Sequence, residues 1–97
     1  MRVLFERTGG FAGKKLEGLL DSSNLSVSQA RRLKELLKQS GFFQLPSALE
    51  SSHPSADHFN YRVTVETEEG KHTIEAGETA IPSSMRPLLD FIVRSLK

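Results

Sequence analysis

Three histidines and one aspartate are the first side chains whose types could do chemistry. His53, Asp57 and His58 lie close together in the sequence, and His72 follows on the next hairpin. Zinc needs three or four ligands in a compact pattern. The spacing here matches no zinc motif, and His72 falls on the apolar side of an alternating run, where a packed or hydrogen-bonded ring is the simpler reading. The sequence therefore points to no intrinsic metal and no cofactor. Nucleophilic catalysis needs a hydroxyl beside a base and a third group to orient that base. The serines and threonines fall in caps and loops, none of them in a G-x-S-x-G elbow. Glu66, Glu68 and Glu69 surround a turn and read as a solvated hairpin tip. The run GGFAGKK, from Gly9 to Lys15, has the glycines of a phosphate-binding loop. Such a loop needs a helix after it and a hydroxyl residue after its lysine, whereas Leu16 follows Lys15 and the next element alternates like a strand. The residue types argue against an enzyme and leave a binding protein.

The 97 residues suffice for one domain, here taken as 1–97, and are too few for two. The absence of cysteine excludes disulfides and fits a reducing compartment. No apolar run approaches the roughly 20 residues of a membrane span. The opening MRVLFERTGG lacks the apolar segment and cleavage site of a signal peptide, so a cytoplasmic location is expected. The net charge of +1 is unevenly divided: residues 1–49 carry eight basic against four acidic side chains, and residues 50–97 carry five against eight. The basic residues of the first half sit mostly on one helix (Arg31, Arg32, Lys34, Lys38), where a solvated face explains them. Neither nucleic acid nor membrane is an expected partner, and the free chain is expected to be a monomer.

The elements that must position a binding surface follow from periodicity. Arg2 to Thr8 alternates, with Val3 and Phe5 on one side and Leu4 and Glu6 on the other. Lys14 to Asp21 alternates again, so the two runs predict a hairpin around GGFAG, whose Gly9, Gly10 and Gly13 can take positive φ. LSVSQARRLKELLKQSG predicts a helix capped by Ser26, with Gln29 completing a capping box and Gly41 ending it. Val27, Ala30, Leu33, Leu36 and Leu37 make its expected buried stripe, and Phe42, Phe43 and Leu45 are expected to pack under its end. Residues 47–57 read as a Ser-rich loop. HFNYRVTVET alternates, with Phe59, Tyr61, Val63 and Val65 inward. Glu68-Glu69-Gly70 turns the chain into Lys71 to Ala76, with His72, Ile74 and Ala76 inward. A last helix from Ser84 to Leu96 carries Met85, Leu88, Leu89, Ile92, Val93 and Leu96 at helical spacing. The expected fold is α+β, ordered β-β-α-β-β-α: a four-stranded antiparallel sheet with two helices packed on one face.

Phe11, an aromatic on a glycine turn, either folds back on the sheet or is an anchor offered to a pocket. The segment Phe5-Glu6-Arg7-Thr8-Gly9-Gly10-Phe11-Ala12-Gly13 resembles the emfourins, small protein inhibitors of thermolysin-like zinc metallopeptidases. The likeness continues through the capped helix, its GFFQLP exit, DHFNYRVTVE from Asp57 to Glu66, and Pro87 to Phe91. The resemblance implies an inhibitor with no chemistry of its own, whose partner is a thermolysin-like metallopeptidase made by the same cell. On that reading Met1, Arg2, Arg7, Thr8, Gly9, Gly10, Phe11, Ala12, Gly13, His53 and Asp57 are the expected contacts. Phe11 would fill the apolar pocket beside the enzyme's zinc. Met1's amine, expected beside the turn if the first strand is short, would reach the metal, since an α-amino group keeps a useful neutral fraction at pH 7. His53 or Asp57 is the rival ligand. The competing reading is an adaptor or assembly domain that pairs through its sheet.

Overall fold

Alternating apolar residues dictate two long antiparallel ladders, and those ladders organise the structure. The computed structural model describes residues 1–9, 15–49 and 59–96. Strands β1 (Arg2–Gly9) and β2 (Leu16–Asp21) pair antiparallel, with Val3 opposite Leu20 and Arg7 opposite Leu16. Helix α1 (Val27–Ser40) follows. A two-residue strand β3 (Ala48–Leu49) comes next, then β4 (Phe59–Thr67) and β5 (Gly70–Gly77), joined by the turn at Glu68 and Glu69. Helix α2 (Arg86–Leu96) ends the described chain. The strand order is β2-β1-β4-β5-β3.

The four expected strands are present and antiparallel to one another where they pair, but the sheet has five strands and is mixed. The addition is β3, which lies parallel to β5 inside the segment read as loop. Glu75 N–H donates to the Ser47 carbonyl at 2.8 Å and leads the chain into this pairing. Two residues are too few to show an alternation, so periodicity could not have found β3.

One face of the sheet carries the core. Val3, Phe5, Val63, Val65, Ile74 and Ala76 are buried there against Leu33, Leu36 and Leu37 of α1 and Leu88, Leu89 and Ile92 of α2. Gly18 of β2 lies against the end of α2: a Cβ there would meet the Leu96 side chain, which would have to move to admit it. Ser26 caps α1 with the predicted box, its Oγ accepting from Gln29 N–H at 3.1 Å and Gln29 Oε1 accepting from Ser26 N–H at 3.1 Å.

Two packing expectations fail. Val27 is 78% exposed. Each i+3 step falls about 60° short of a full turn at 3.6 residues per turn, so two such steps carry Val27 well off the stripe centred on Leu33 and Leu37. Phe42 is fully buried, whereas Phe43 is 46% exposed and presents only an edge-on ring to it, 5.5 Å between centroids.

The other sheet face is open. Arg2–Glu66, Lys15–Glu6, Lys15–Glu17 and Arg62–Glu75 ion pairs lie across it, with a Thr64–Thr73 hydroxyl contact of 2.8 Å between neighbouring strands. Such exposed pairs contribute little each, so stability rests on the buried face. Leu88→Ala should lower the unfolding free energy by about 2–5 kcal/mol, and Ser26→Ala by about 1 kcal/mol, both read from urea denaturation midpoints.

Candidate functional site

Strand β1 has two ends, and the expected site residues divide between them. At the far end, the inward positions continue the alternation Val3, Phe5, Arg7, Gly9, but the core stops at Phe5. Phe5, Tyr61 and Phe59 then form a row of rings, with centroids 6.1 Å apart for Phe5–Tyr61 and 6.4 Å for Phe59–Tyr61. The Arg7 guanidinium lies 4.5 Å from the centre of the Phe59 ring. That cation–π contact, worth about 0.5–2 kcal/mol, holds the arginine against the end of the sheet. Thr8 pairs with Asn60 and Gly9 with Phe59. Gly9 has φ of 90°, a conformation side chains resist, so the chain leaves β1 where glycine is required. Gly10, Phe11, Ala12 and Gly13 follow from this point and lie outside the described residues, as do His53 and Asp57. Asp57 is two residues before Phe59, the residue paired with Gly9.

Met1 and Arg2 sit at the opposite end. An eight-residue strand at about 3.3 Å per residue separates Met1 from Gly9 by roughly 26 Å. The expectation that Met1 stands beside the turn is therefore corrected: it required a short first strand, and β1 is paired along its whole length. The Met1 amine donates to Ser22 Oγ at 3.2 Å, and Ser22 N–H donates to the Met1 carbonyl at 2.9 Å. Arg2 points to the open sheet face and meets Glu66 at 3.8 Å. Next to Met1, Asp21 accepts from Ser23 N–H at 3.0 Å and from Ser23 Oγ–H at 2.8 Å. Those two hydrogen bonds, helped by the nearby amine and Arg2, hold its carboxyl below the usual aspartate range.

His72 lies on the inner face as expected. Its Nε2–H donates to the Leu45 carbonyl at 2.9 Å, and its ring meets Phe42 edge-on at 5.5 Å. The ring stitches the exit of α1 to β5 and is committed to structure. No group of three or more potential metal-ligating side chains occurs among the described residues. A groove of about 920 Å³ runs beside Met1 between α1 and the β4–β5 turn, with Lys34, Lys38, Phe43 and Glu69 on its walls. It gathers no catalytic set.

The far end contains something more ordered. Arg86, Asp90 and Arg94 of α2 join Arg7 and Tyr61 around a cavity of about 250 Å³. Sequence reading passed over this cluster. Its signal was available: Arg86, Asp90 and Arg94 recur at i, i+4 and i+8, and the alternation of β1 puts Arg7 on the same inner face.

A family model described as Emfourin matches residues 5–93 of the chain. Among solved structures, the chain is similar to emfourin (M4in) from Serratia proteamaculans, an M4 family peptidase inhibitor, with 21% identity and a TM-score of 0.47 over 90% of this chain and 83% of that one. No curated protein matches it.

The Asp21 corner has a pH signature. A carboxyl held low in the folded state contributes stability above its unfolded pKa, and that contribution is lost as pH falls through the folded value. Asp21→Asn should therefore lose less stability than the parent between neutral pH and acid, measured by urea unfolding across that range.

Proposed function

This chain belongs to the emfourin family, and we propose that it inhibits a thermolysin-like zinc metallopeptidase by inserting the segment after Gly9 into the enzyme's active-site cleft. The family match over residues 5–93 carries the reading, because it spans the Phe5–Gly13 motif and the body that supports it. The protein acts as a ligand and performs no chemistry of its own. On this reading it is monomeric when free and works in the cytoplasm on a peptidase of the same cell.

The geometry supports the far end of β1 as the business end. Pairing with β2 extends to Arg7 and pairing with β4 to Gly9 itself, so the segment leaves a backbone that is held on one side up to its last residue and on both sides two residues earlier. A contact presented from a rigid base loses less entropy on docking. Phe11 is the pocket anchor on this account, and Gly9, Gly10 and Gly13 allow the turn that carries it. Arg7 and Thr8 support its base. Asp57, close in sequence to the strand residue paired with Gly9, is the candidate to face the zinc, with His53 farther along the same segment. Met1, roughly 26 Å from Gly9 along β1 and bonded to Ser22, is not part of the blocking surface.

The adaptor reading keeps one observation in its favour: Leu4 and Leu19 are 40% and 46% exposed on the open sheet face. A peptide-cleavage assay with a thermolysin-like peptidase separates the two. The wild-type chain should slow cleavage, and Phe11→Ala should cost about 2 kcal/mol or more of binding, roughly 30-fold in inhibition constant. One or two residues added before Met1 should leave potency unchanged. No slowing at micromolar protein refutes the inhibitor reading, and a sharp loss on extension would return Met1 to the mechanism.

A further inference from the structure

Three arginines, Arg7 of β1 and Arg86 and Arg94 of α2, line one cavity at the Gly9 end of β1. We propose that the pocket bounded by Arg7, Arg86 and Arg94 is a second contact for the peptidase and takes one of its surface carboxylates alongside the turn. The proposal rests on the inhibitor reading and adds to it a specificity-determining site.

Charge makes the first argument. On the open sheet face and on α1, Arg2, Arg62 and Arg32 each lie within 4 Å of a glutamate, Glu66 at 3.8 Å, Glu75 at 2.6 Å and Glu35 at 3.5 Å, while Arg31 of α1 has none among the described residues. Among the described residues, none of Arg7, Arg86 and Arg94 has a carboxylate within 4.0 Å. Asp90 is the carboxylate on the pocket wall, one negative charge among three positive. Glu78 is near as well, but its Oε1 accepts from Phe59 N–H at 3.5 Å, and Arg86 donates to its backbone carbonyl at 3.4 Å. The pocket therefore keeps an excess of positive charge that an incoming anion can neutralise.

Shape and order make the second. Tyr61, Leu89 and Val93 give the cavity an apolar flank, which weakens the competition from water and strengthens a charged hydrogen bond. Arg7 is already held against Phe59, and α2 fixes the spacing of Arg86 and Arg94, so little further ordering is needed. A guanidinium is a planar fork that matches a carboxylate's two oxygens. Position makes the third. Arg7 is two residues before Gly9, so a carboxylate bound here sits about 7 Å along β1 from the start of the blocking segment. An enzyme whose cleft accepts the turn would bring its rim onto the arginines.

The test compares wild type, Arg86→Gln, Arg94→Gln and the double variant as inhibitors of a thermolysin-like peptidase at about 50 and about 500 mM NaCl. Arg86 and Arg94 are exposed, so thermal melts should match the parent and separate a binding defect from a folding one. Each single variant should raise the inhibition constant roughly tenfold at low salt, the double variant more, and the salt dependence should shrink with each charge removed. Arg94→Lys should recover part of the loss. A double variant with wild-type potency and salt dependence overturns the pocket while leaving the inhibitor reading intact. A wild-type protein that inhibits nothing overturns both, and the wild-type arm alone identifies that outcome.

Discussion

The whole arrangement depends on β1 being held from both sides. Its ladder with β4 runs from Arg2 to Gly9 and its ladder with β2 from Arg2 to Arg7, so nearly every backbone group of the strand is committed. A strand in that position cannot slip register without turning Val3 and Phe5 to water and Leu4 and Glu6 into the core. It is therefore a fixed rail, and it decides that Met1 and Gly9 lie at opposite ends of it.

The remainder of the fold serves to keep that rail in place. Two helices cover one sheet face, and the largest fully buried side chains, among them Phe42, Leu33, Ile74, Met85, Leu88 and Ile92, come from both halves of the chain. Close-packed cores resist small displacements, so β1 is anchored through Val3 and Phe5, and its end is carried on by the ladder with β4. Where the core stops, the inward face changes character from aliphatic to aromatic and then to Arg7 on Phe59. This transition makes a polar, positively charged rim out of the same alternation that built the core.

Much of this was legible in the sequence. The two hairpins, the capped helix and the second helix all declare themselves by period, cap residues and glycine turns, and they appear within a few residues of expectation. What was hidden depended on three-dimensional placement. Strand β3 is two residues long and has no period. Val27 looked buried because i+3 steps drift round a helix. The separation of Met1 from Gly9 was already implied by the expected strand from Arg2 to Thr8, whereas the gathering of Arg7, Arg86 and Arg94 around one cavity needed α2 to be laid beside β1. The motif around Phe11 carries the resemblance that the family match over residues 5–93 bears out, while the supporting rim could be seen only after the strands and helix were assembled.

The most direct test of the central claim is an amide NMR map of the isotope-labelled protein bound to a catalytically inactive thermolysin-like peptidase. The account predicts that signal changes concentrate at one end: Arg7 to Gly9, the residues leading from Gly9 into β2, and Phe59 to Tyr61. Met1, Ser22 and the Glu68–Glu69 turn should keep their free-state signals. Changes centred on Met1 and Ser22, with the Gly9 end unaffected, would contradict it.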